Sequence, residues 1–247
     1  MFTDIDDTLS TRGKITALAY AAMERLHNAG LMVIPVTGRP AGWCDHIARM
    51  WPVDAVVGEN GALYMRYDVP ARKLTTCFAT PPEERRAQRE RLAAIGAKIL
   101  RGVPGCAGAS DQRYRECDLA IDFCEDVPRL SAESVAKIVA LMRAEGLTAK
   151  VSSIHVNGWF GNYDKLTMTR KLLADEFGID LDQAREQFIF VGDSPNDASM
   201  FQFFPHSVGV ANVREFGDGG GEPPKYVTER ESGAGFAELA DFLLSGR

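Results

Sequence analysis

The chain opens with Met1-Phe2-Thr3-Asp4-Ile5-Asp6-Asp7-Thr8, a short apolar run that ends in an Asp-x-Asp pair. Because side chains alternate along a strand, Asp4 and Asp6 are predicted on one side of the backbone at the strand's end. Two such carboxylates can hold a divalent cation and divide the roles of nucleophile and acid–base between them. A solvated Asp-rich turn would show the same pattern, so the later segments decide between the two interpretations.

Short apolar runs alternate with amphipathic helical segments in the first and last parts of the chain, whereas the middle of the chain shows another pattern. The spacing predicts helices over 15–30, 41–50, 165–177 and 235–244, and buried strands over 31–36, 54–57, 187–191 and 207–210. Alternating strands and helices are typical of a parallel α/β sheet. Polar and Gly-rich segments follow these strands, at the sheet edge where open α/β folds bind ligands.

The middle portion has another character. It contains a charged helical stretch over 83–95, a predicted strand over 118–123, a helix that Ser131 caps, and a predicted strand over 148–156. We therefore predict an α/β protein with a Rossmann-like core of residues 1–67 and 158–247. Residues 68–157 are predicted to form an inserted α+β domain, which we call the cap.

The first strand is unusually short. Only three residues precede Asp4, whereas a central strand usually has about five or six. This shortness predicts either that further residues belong upstream or that the strand carrying Asp4 is short.

Composition excludes several classes of function. The 247 residues carry a formal net charge of −6, which argues against a nucleic-acid-binding protein. No apolar run approaches the roughly 18 residues of a membrane span, and we expect no signal peptide before the Asp cluster. The five cysteines are scattered without a metal-binding spacing, which fits a reducing compartment and predicts a cytoplasmic protein.

Four polar clusters are predicted at strand ends or helix starts of the core. They are Asp4 with Asp6, Thr37 with Gly38 and Arg39, Lys165 alone, and Asp193 with Asn196 and Asp197. Because these ends lie on one edge of a parallel sheet, the clusters can converge. Carboxylates for Mg²⁺ together with a hydroxyl and an ammonium group suit phosphoryl transfer.

These clusters, in this order, resemble the four motifs of the haloacid dehalogenase superfamily. The quoted segments are Asp4-Ile5-Asp6-Asp7-Thr8, Val36-Thr37-Gly38-Arg39, Lys165 and Gly192-Asp193-Ser194-Pro195-Asn196-Asp197. The insertion between the second and third motifs is similar to a type-2 cap. The resemblance therefore implies a hydrolase with a cap of the 2B type, a group that often acts on sugar phosphates.

The resemblance also implies a two-step mechanism. Asp4 would attack phosphorus and form an aspartyl-phosphate, while Asp6 would protonate the leaving oxygen and then deprotonate water. Thr37 and Lys165 would contact the transferring phosphoryl group.

The same resemblance implies a Mg²⁺ site. Its ligands would be the Asp4 carboxylate, the Asp6 backbone carbonyl and Asp193, with Asp197 joining directly, through water or through Lys165. The cation and Lys165 would offset the repulsion between an attacking carboxylate and a phosphate dianion.

Substrate contacts are expected from both parts of the chain. In the core they are Thr37, Gly38, Arg39, Lys165 and Asn196, and in the cap they are Arg113, Arg115 and His155. Each cap residue has a competing interpretation as a structural or solvated side chain. Arg39 is equally consistent with binding substrate and with pairing to a carboxylate.

Three functions follow from this sequence. The first is a Mg²⁺-dependent phosphatase for a small phosphate ester, namely a sugar phosphate or sugar-acid phosphate. The second is a phosphohexomutase, because one branch of the family uses the same Asp pair, and the third is a catalytically silent module that binds a phosphorylated metabolite. The sequence carries no signal for an oligomeric state.

Overall fold

The computed structural model describes residues 1–220 and 222–246. In these residues the helices are α1 (Ala17–Asn28), α2 (Ala41–Met50), α3 (Pro82–Gly102), α4 (Ala132–Ala144), α5 (Lys165–Phe177), α6 (Leu181–Ala184), α7 (Ala198–Phe203) and α8 (Ser232–Ser245). The strands are β1 (Phe2–Thr3), β2 (Ser10–Thr11), β3 (Lys14–Ile15), β4 (Ile34–Pro35), β5 (Val56–Gly58), β6 (Leu63–Asp68), β7 (Lys73–Phe78), β8 (Ala107–Gly108), β9 (Asp118–Asp122), β10 (Thr148–Val151), β11 (His155–Trp159), β12 (Ile189–Gly192), β13 (His206–Gly209) and β14 (Tyr226–Val227).

A parallel sheet forms the centre of the core, with the strand order β14-β13-β12-β1-β4. A bridge between Val36 and Val57 joins β4 to β5, which begins an antiparallel group with β6 and β7. The α/β class with a parallel sheet is confirmed. The strand that carries Asp4 is indeed short, yet it lies between β12 and β4, with Phe2 fully buried.

Apolar side chains cover both faces of this sheet. One cluster packs α1, α2 and α8 against it through Leu26, Ile47 and Phe236, and the other includes Leu172 of α5 and Phe204. This double layer buries the sheet on both sides, as parallel sheets require. It leaves the carboxyl edge as the place where polar loops gather.

The cap has its own sheet and core. The strands β10-β11-β9-β8 form an antiparallel sheet, and α3 and α4 pack on it through apolar residues such as Ile99, Ile121 and Met142. The division at 67/68 and 157/158 stays a prediction, and β6 and β11 run across these two positions.

Most predicted elements of the core are present with similar limits, including α2 and α5 at the predicted residues. The single strand predicted over 148–156 is wrong, because β10 and β11 form a hairpin there. Ser152 makes the turn, with its Oγ accepting a hydrogen bond of 3.0 Å from the backbone N–H of His155. None of the helices in the described residues is long and apolar enough to cross a membrane.

Candidate active site

The carboxyl ends of three neighbouring strands bring the core motifs together. Asp4 follows β1 and its N–H donates to the Val191 carbonyl of β12 at 2.9 Å. Thr37 follows β4, and Asp193 follows β12 directly. The convergence that parallel topology predicts is therefore present.

Lys165 reaches this edge from the first turn of α5. A capping box between Asp164 and Thr167 sets where this helix starts. Gly61, with φ of 104°, packs directly against the start of α5, and a Cβ on Gly61 would overlap the Asp164 carbonyl. The turn and the cap together fix the position of the lysine stem.

The Lys165 ammonium joins two motif carboxylates. Its Nζ lies 2.9 Å from Asp4 Oδ1 and 2.7 Å from Asp197 Oδ1, and the lysine is 2% exposed. Burial disfavours its charge, but Asp197 and Asp4 outweigh that effect and raise the pKa of Lys165. Lys165 is thus the lysine that reaches these carboxylates, whereas Lys171, six residues further along α5, pairs with Asp175.

Three buried carboxylates form a cluster that can hold a metal ion. Potential ligand atoms of Asp4, Asp193 and Asp197 lie within 4.8 Å of one another. Thr8 Oγ1 donates to Asp193 Oδ1 at 3.0 Å, while Asp193 Oδ2 is buried without a hydrogen-bond partner. An orphaned carboxylate oxygen aimed into a group of acidic oxygens fits a hard divalent cation.

The charge balance of this cluster also favours binding of a cation. Burial first, and then the nearby Asp197 and Asp6, raise the pKa of Asp4 to about 7, although Lys165 opposes them. Burial together with Asp4 and Asp197 also raises the pKa of Asp193. One ammonium cannot neutralise three buried carboxylates, so the set is short of positive charge.

Asp6 is held by the arginine of the second motif. Arg39 Nε lies 2.9 and 3.0 Å from the two Asp6 oxygens, and Nη2 lies 2.7 Å from Oδ1. The same Nη2 donates to Glu125 Oε1 of the cap at 2.7 Å, and the guanidinium carbon lies 4.5 Å from the centre of the Trp43 ring. Arg39 therefore ties the predicted acid–base group of the core to the cap.

The cap closes over these groups. A cavity of about 10 Å³ remains, room for about one water molecule. Its lining includes Asp4, Asp6, Gly38, Arg39, Asn196 and, from the cap, Arg115 and His155. A phosphate ester needs far more space, so the cap must open for substrate to enter.

Several predicted residues take structural contacts in this closed state. Thr37 Oγ1 accepts a hydrogen bond of 3.0 Å from the Arg39 N–H, and Asn196 Oδ1 accepts one of 2.7 Å from Ser194 Oγ. Arg115 is buried, pairs with Asp111 and Asp118 of the cap, and donates to the Gly38 carbonyl at 2.8 Å.

The structure does not bring Arg113 to the site. Arg113 is exposed on the cap surface, where its guanidinium stacks on the Tyr114 ring.

Two glutamates that sequence reasoning missed connect core and cap. Fully buried Glu59 accepts hydrogen bonds from the N–H groups of Ala41 at 2.9 Å, Glu116 at 2.8 Å and Cys117 at 2.6 Å. Glu125 is the partner of Arg39 described above. The sequence offers a signal for Glu59, because a charged residue between an apolar strand and a glycine-rich turn is unusual. No such local pattern marks Glu125.

Comparisons with known proteins agree with this architecture. The family of haloacid dehalogenase-like hydrolases matches residues 1–76. A phosphoglycolate phosphatase of Methanosarcina mazei is 26% identical over 246 residues, which cover 98% of this chain and 95% of that protein.

Two solved structures share the fold. Thermoplasma acidophilum 0175 aligns with a TM-score of 0.71 at 17% identity, over 98% of this chain and 96% of its own. The sucrose-phosphatase of Synechocystis sp. PCC6803 aligns with a TM-score of 0.66 at 15% identity, over 98% and 96%.

Proposed function

We propose that this chain is a Mg²⁺-dependent phosphatase of the haloacid dehalogenase-like type with a 2B cap, since that family matches residues 1–76 and a solved subclass IIB sugar phosphatase shares the fold. Its substrate is a small phosphorylated metabolite, a sugar phosphate or sugar-acid phosphate. The observation that carries the proposal is the buried Asp4–Lys165 pair with Asp193 and Asp197 beside it. The phosphoglycolate phosphatase activity named for the sequence relative supports the same reaction class.

Asp4 is the proposed nucleophile. It lies at the end of the central strand, 4% exposed, with Oδ1 held by Lys165 at 2.9 Å. Attack on phosphorus forms the aspartyl-phosphate and breaks the bond to the leaving oxygen. Lys165 stays in place to pair with phosphoryl oxygens as they gain charge, and Thr37 Oγ1 supplies a hydroxyl at the same edge.

Asp6 is the proposed acid–base group. It has to deliver a proton to the leaving oxygen and later to remove one from water. In the closed site both of its oxygens accept hydrogen bonds from Arg39, so they are engaged with that guanidinium instead of with a substrate. The entering substrate therefore has to draw Arg39 away from Asp6 before the first step.

Asp4, Asp193 and Asp197 are the side chains that would hold Mg²⁺, and the Asp6 carbonyl is a further proposed ligand. The bound cation supplies positive charge that offsets the repulsion between the Asp4 carboxylate and the phosphate.

The test is phosphate release from a panel of sugar phosphates, sugar-acid phosphates and nucleotides, with Mg²⁺ and with EDTA. Asp4→Asn removes the proposed nucleophile and keeps the shape of the side chain. Asp45→Asn makes the same change at a half-exposed side chain of α2, away from the site. We expect turnover only with Mg²⁺, retained in Asp45→Asn and lost in Asp4→Asn.

Other results would replace the proposal. An isomerised sugar product that depends on a bisphosphate activator would identify a mutase. Tight binding of a phosphate ester without any turnover by the folded protein would identify a silent binding module.

A further inference from the structure

One carboxylate of the cap sits between two donors at the edge of the site. Glu125 Oε1 lies 2.7 Å from Arg39 Nη2, and Glu125 Oε2 lies 2.8 Å from His155 Nε2. Burial disfavours the ionised glutamate, but the nearby His155 ring and the Arg39 guanidinium outweigh burial and hold the pKa of Glu125 at about 2. The two donors therefore constitute a site that binds a carboxylate.

Arg39 and His155 are buried and held in place, whereas Glu125, which lies between them, is more accessible to solvent. The side chains of Arg39 and His155 are 5% and 3% exposed, against 25% for Glu125. Arg39 stacks on Trp43, and His155 lies in the cap sheet opposite Asp122. Glu125 lies on the loop that follows β9, from which it can turn towards solvent when the cap opens.

The contact with Glu125 leaves the Nε2 atom of His155 without a well-aligned hydrogen bond. This nitrogen is buried and close to Glu125, but the geometry does not satisfy a hydrogen bond. A buried ring nitrogen without an aligned acceptor is costly. A ligand carboxylate with more freedom to orient would satisfy it better than the tethered glutamate does.

The position of this site defines which part of a substrate it would meet. Arg39 bonds both Glu125 and Asp6, and Asp6 is the group proposed to protonate the leaving oxygen. An anion held by Arg39 and His155 would thus belong to the leaving group, close to the oxygen that leaves. The cavity of about 10 Å³ also means that a leaving group of any size must displace some of these contacts.

We propose that Arg39 and His155 form a clamp for a carboxylate on the leaving group, and that Glu125 occupies it until substrate displaces it. This inference rests on the proposed phosphatase function and narrows its substrate class to phosphate esters of hydroxy acids or sugar acids. Displacing Glu125 removes one acceptor of the buried Arg39 guanidinium, which keeps its contacts to Asp6 and Asp111, and the only carboxylate beside the His155 ring nitrogen among the described contacts. A second carboxylate restores both contacts with the correct charge, whereas a hydroxyl restores one weaker contact.

The test compares two substrates that differ in one group. These are 2-phosphoglycolate, with a carboxylate, and 2-hydroxyethyl phosphate, which has a hydroxymethyl group in its place. Their kcat and KM are measured with Mg²⁺ for the wild type, Glu125→Gln and His155→Gln. Asp126→Asn is the matched control, since it removes one negative charge from the neighbouring, exposed position of the same loop.

We expect the wild type to prefer the carboxylated ester by about tenfold or more in kcat/KM, the value of one charge-assisted hydrogen bond. Glu125→Gln should lower KM several-fold more for the carboxylated ester than for the neutral ester, because the charge that competes with the substrate carboxylate is gone. His155→Gln should reduce the preference, and Asp126→Asn should behave as the wild type. The urea midpoint of each variant checks that it is folded.

Two results would overturn the clamp alone. They are equal or better turnover of the neutral ester by the wild type, and the same effect of Glu125→Gln on both esters. Absence of Asp4-dependent turnover on every ester of the wider panel would overturn the phosphatase function and the clamp with it.

Discussion

Replacing Lys165 by methionine tests how strongly the buried charges of the site depend on one another. Methionine keeps an unbranched stem of similar length and removes only the ammonium and its donors. Asp4 and Asp197 then lose their ion pairs of 2.9 and 2.7 Å in a site where the lysine is 2% exposed. Removing one partner of a buried pair costs about 3–5 kcal/mol, so we expect the free energy of unfolding to fall by that amount.

Lys171→Met provides the matched control on the same helix. Lys171 also contacts an aspartate, Asp175, at 2.8 Å, but its side chain is 47% exposed. An exposed pair of this spacing contributes only about 0.3–0.5 kcal/mol. The two variants are therefore expected to differ by roughly 2.5–4.7 kcal/mol because of burial.

Urea unfolding followed by circular dichroism, in EDTA at neutral pH, measures both variants against the wild type. EDTA matters because a divalent cation would partly replace the missing ammonium. If Lys165→Met costs no more than Lys171→Met, the site does not hold its carboxylates in the buried, charge-coupled arrangement described above.

Three further changes test other parts of the structure. Glu59→Gln should destabilise the protein by about 1–3 kcal/mol in urea unfolding, because an amide nitrogen would face at least one of the buried backbone N–H groups that now donate to the carboxylate. Gly61→Ala should lower both stability and turnover, since a Cβ at φ 104° would push against the Asp164 carbonyl and displace Lys165; unchanged kinetics and an unchanged urea midpoint would contradict this packing. The pKa of Glu125 is lowered in the folded state from 4.5 to about 2, so the folded protein binds fewer protons there than the unfolded chain. The stabilising contribution of Glu125 should therefore be present above pH 4.5 and be lost as the pH falls towards about 2. Acid unfolding of Glu125→Gln should accordingly show a weaker loss of stability over that range than the wild type does.

Local signals account for the parts of the fold that could be predicted from the sequence. Ser131 caps the helix that follows it, as its side chain predicts. The hairpin over 148–159 was missed because its turn depends on hydrogen bonds of Ser152 that hydrophobic alternation does not reveal.

The core motifs could be predicted for a topological reason. Polar residues after parallel strands reach one edge, whatever the length of the chain between them. Asp4, Lys165 and Asp197 are far apart in sequence, yet they meet in hydrogen-bonded contact there.

The boundary between core and cap could not be predicted in this way. Which of Arg113 and Arg115 faces the core depends on a short 3-10 turn over Gln112–Tyr114 and on cap docking. Glu59 and Glu125 acquire their roles only through contacts across that boundary. Such contacts join distant segments through side chains, without a repeating pattern in either segment.

The aspartyl-phosphate is the central claim, and its direct capture is the most decisive measurement. The enzyme is mixed with its best substrate and Mg²⁺, quenched in acid within the first turnover and reduced with borohydride, which converts an aspartyl-phosphate into homoserine. We predict that peptide mass spectrometry finds homoserine at position 4 only when substrate and Mg²⁺ are both present. Turnover that continues in Asp4→Asn, with residue 4 of the wild type unmodified, would contradict the account.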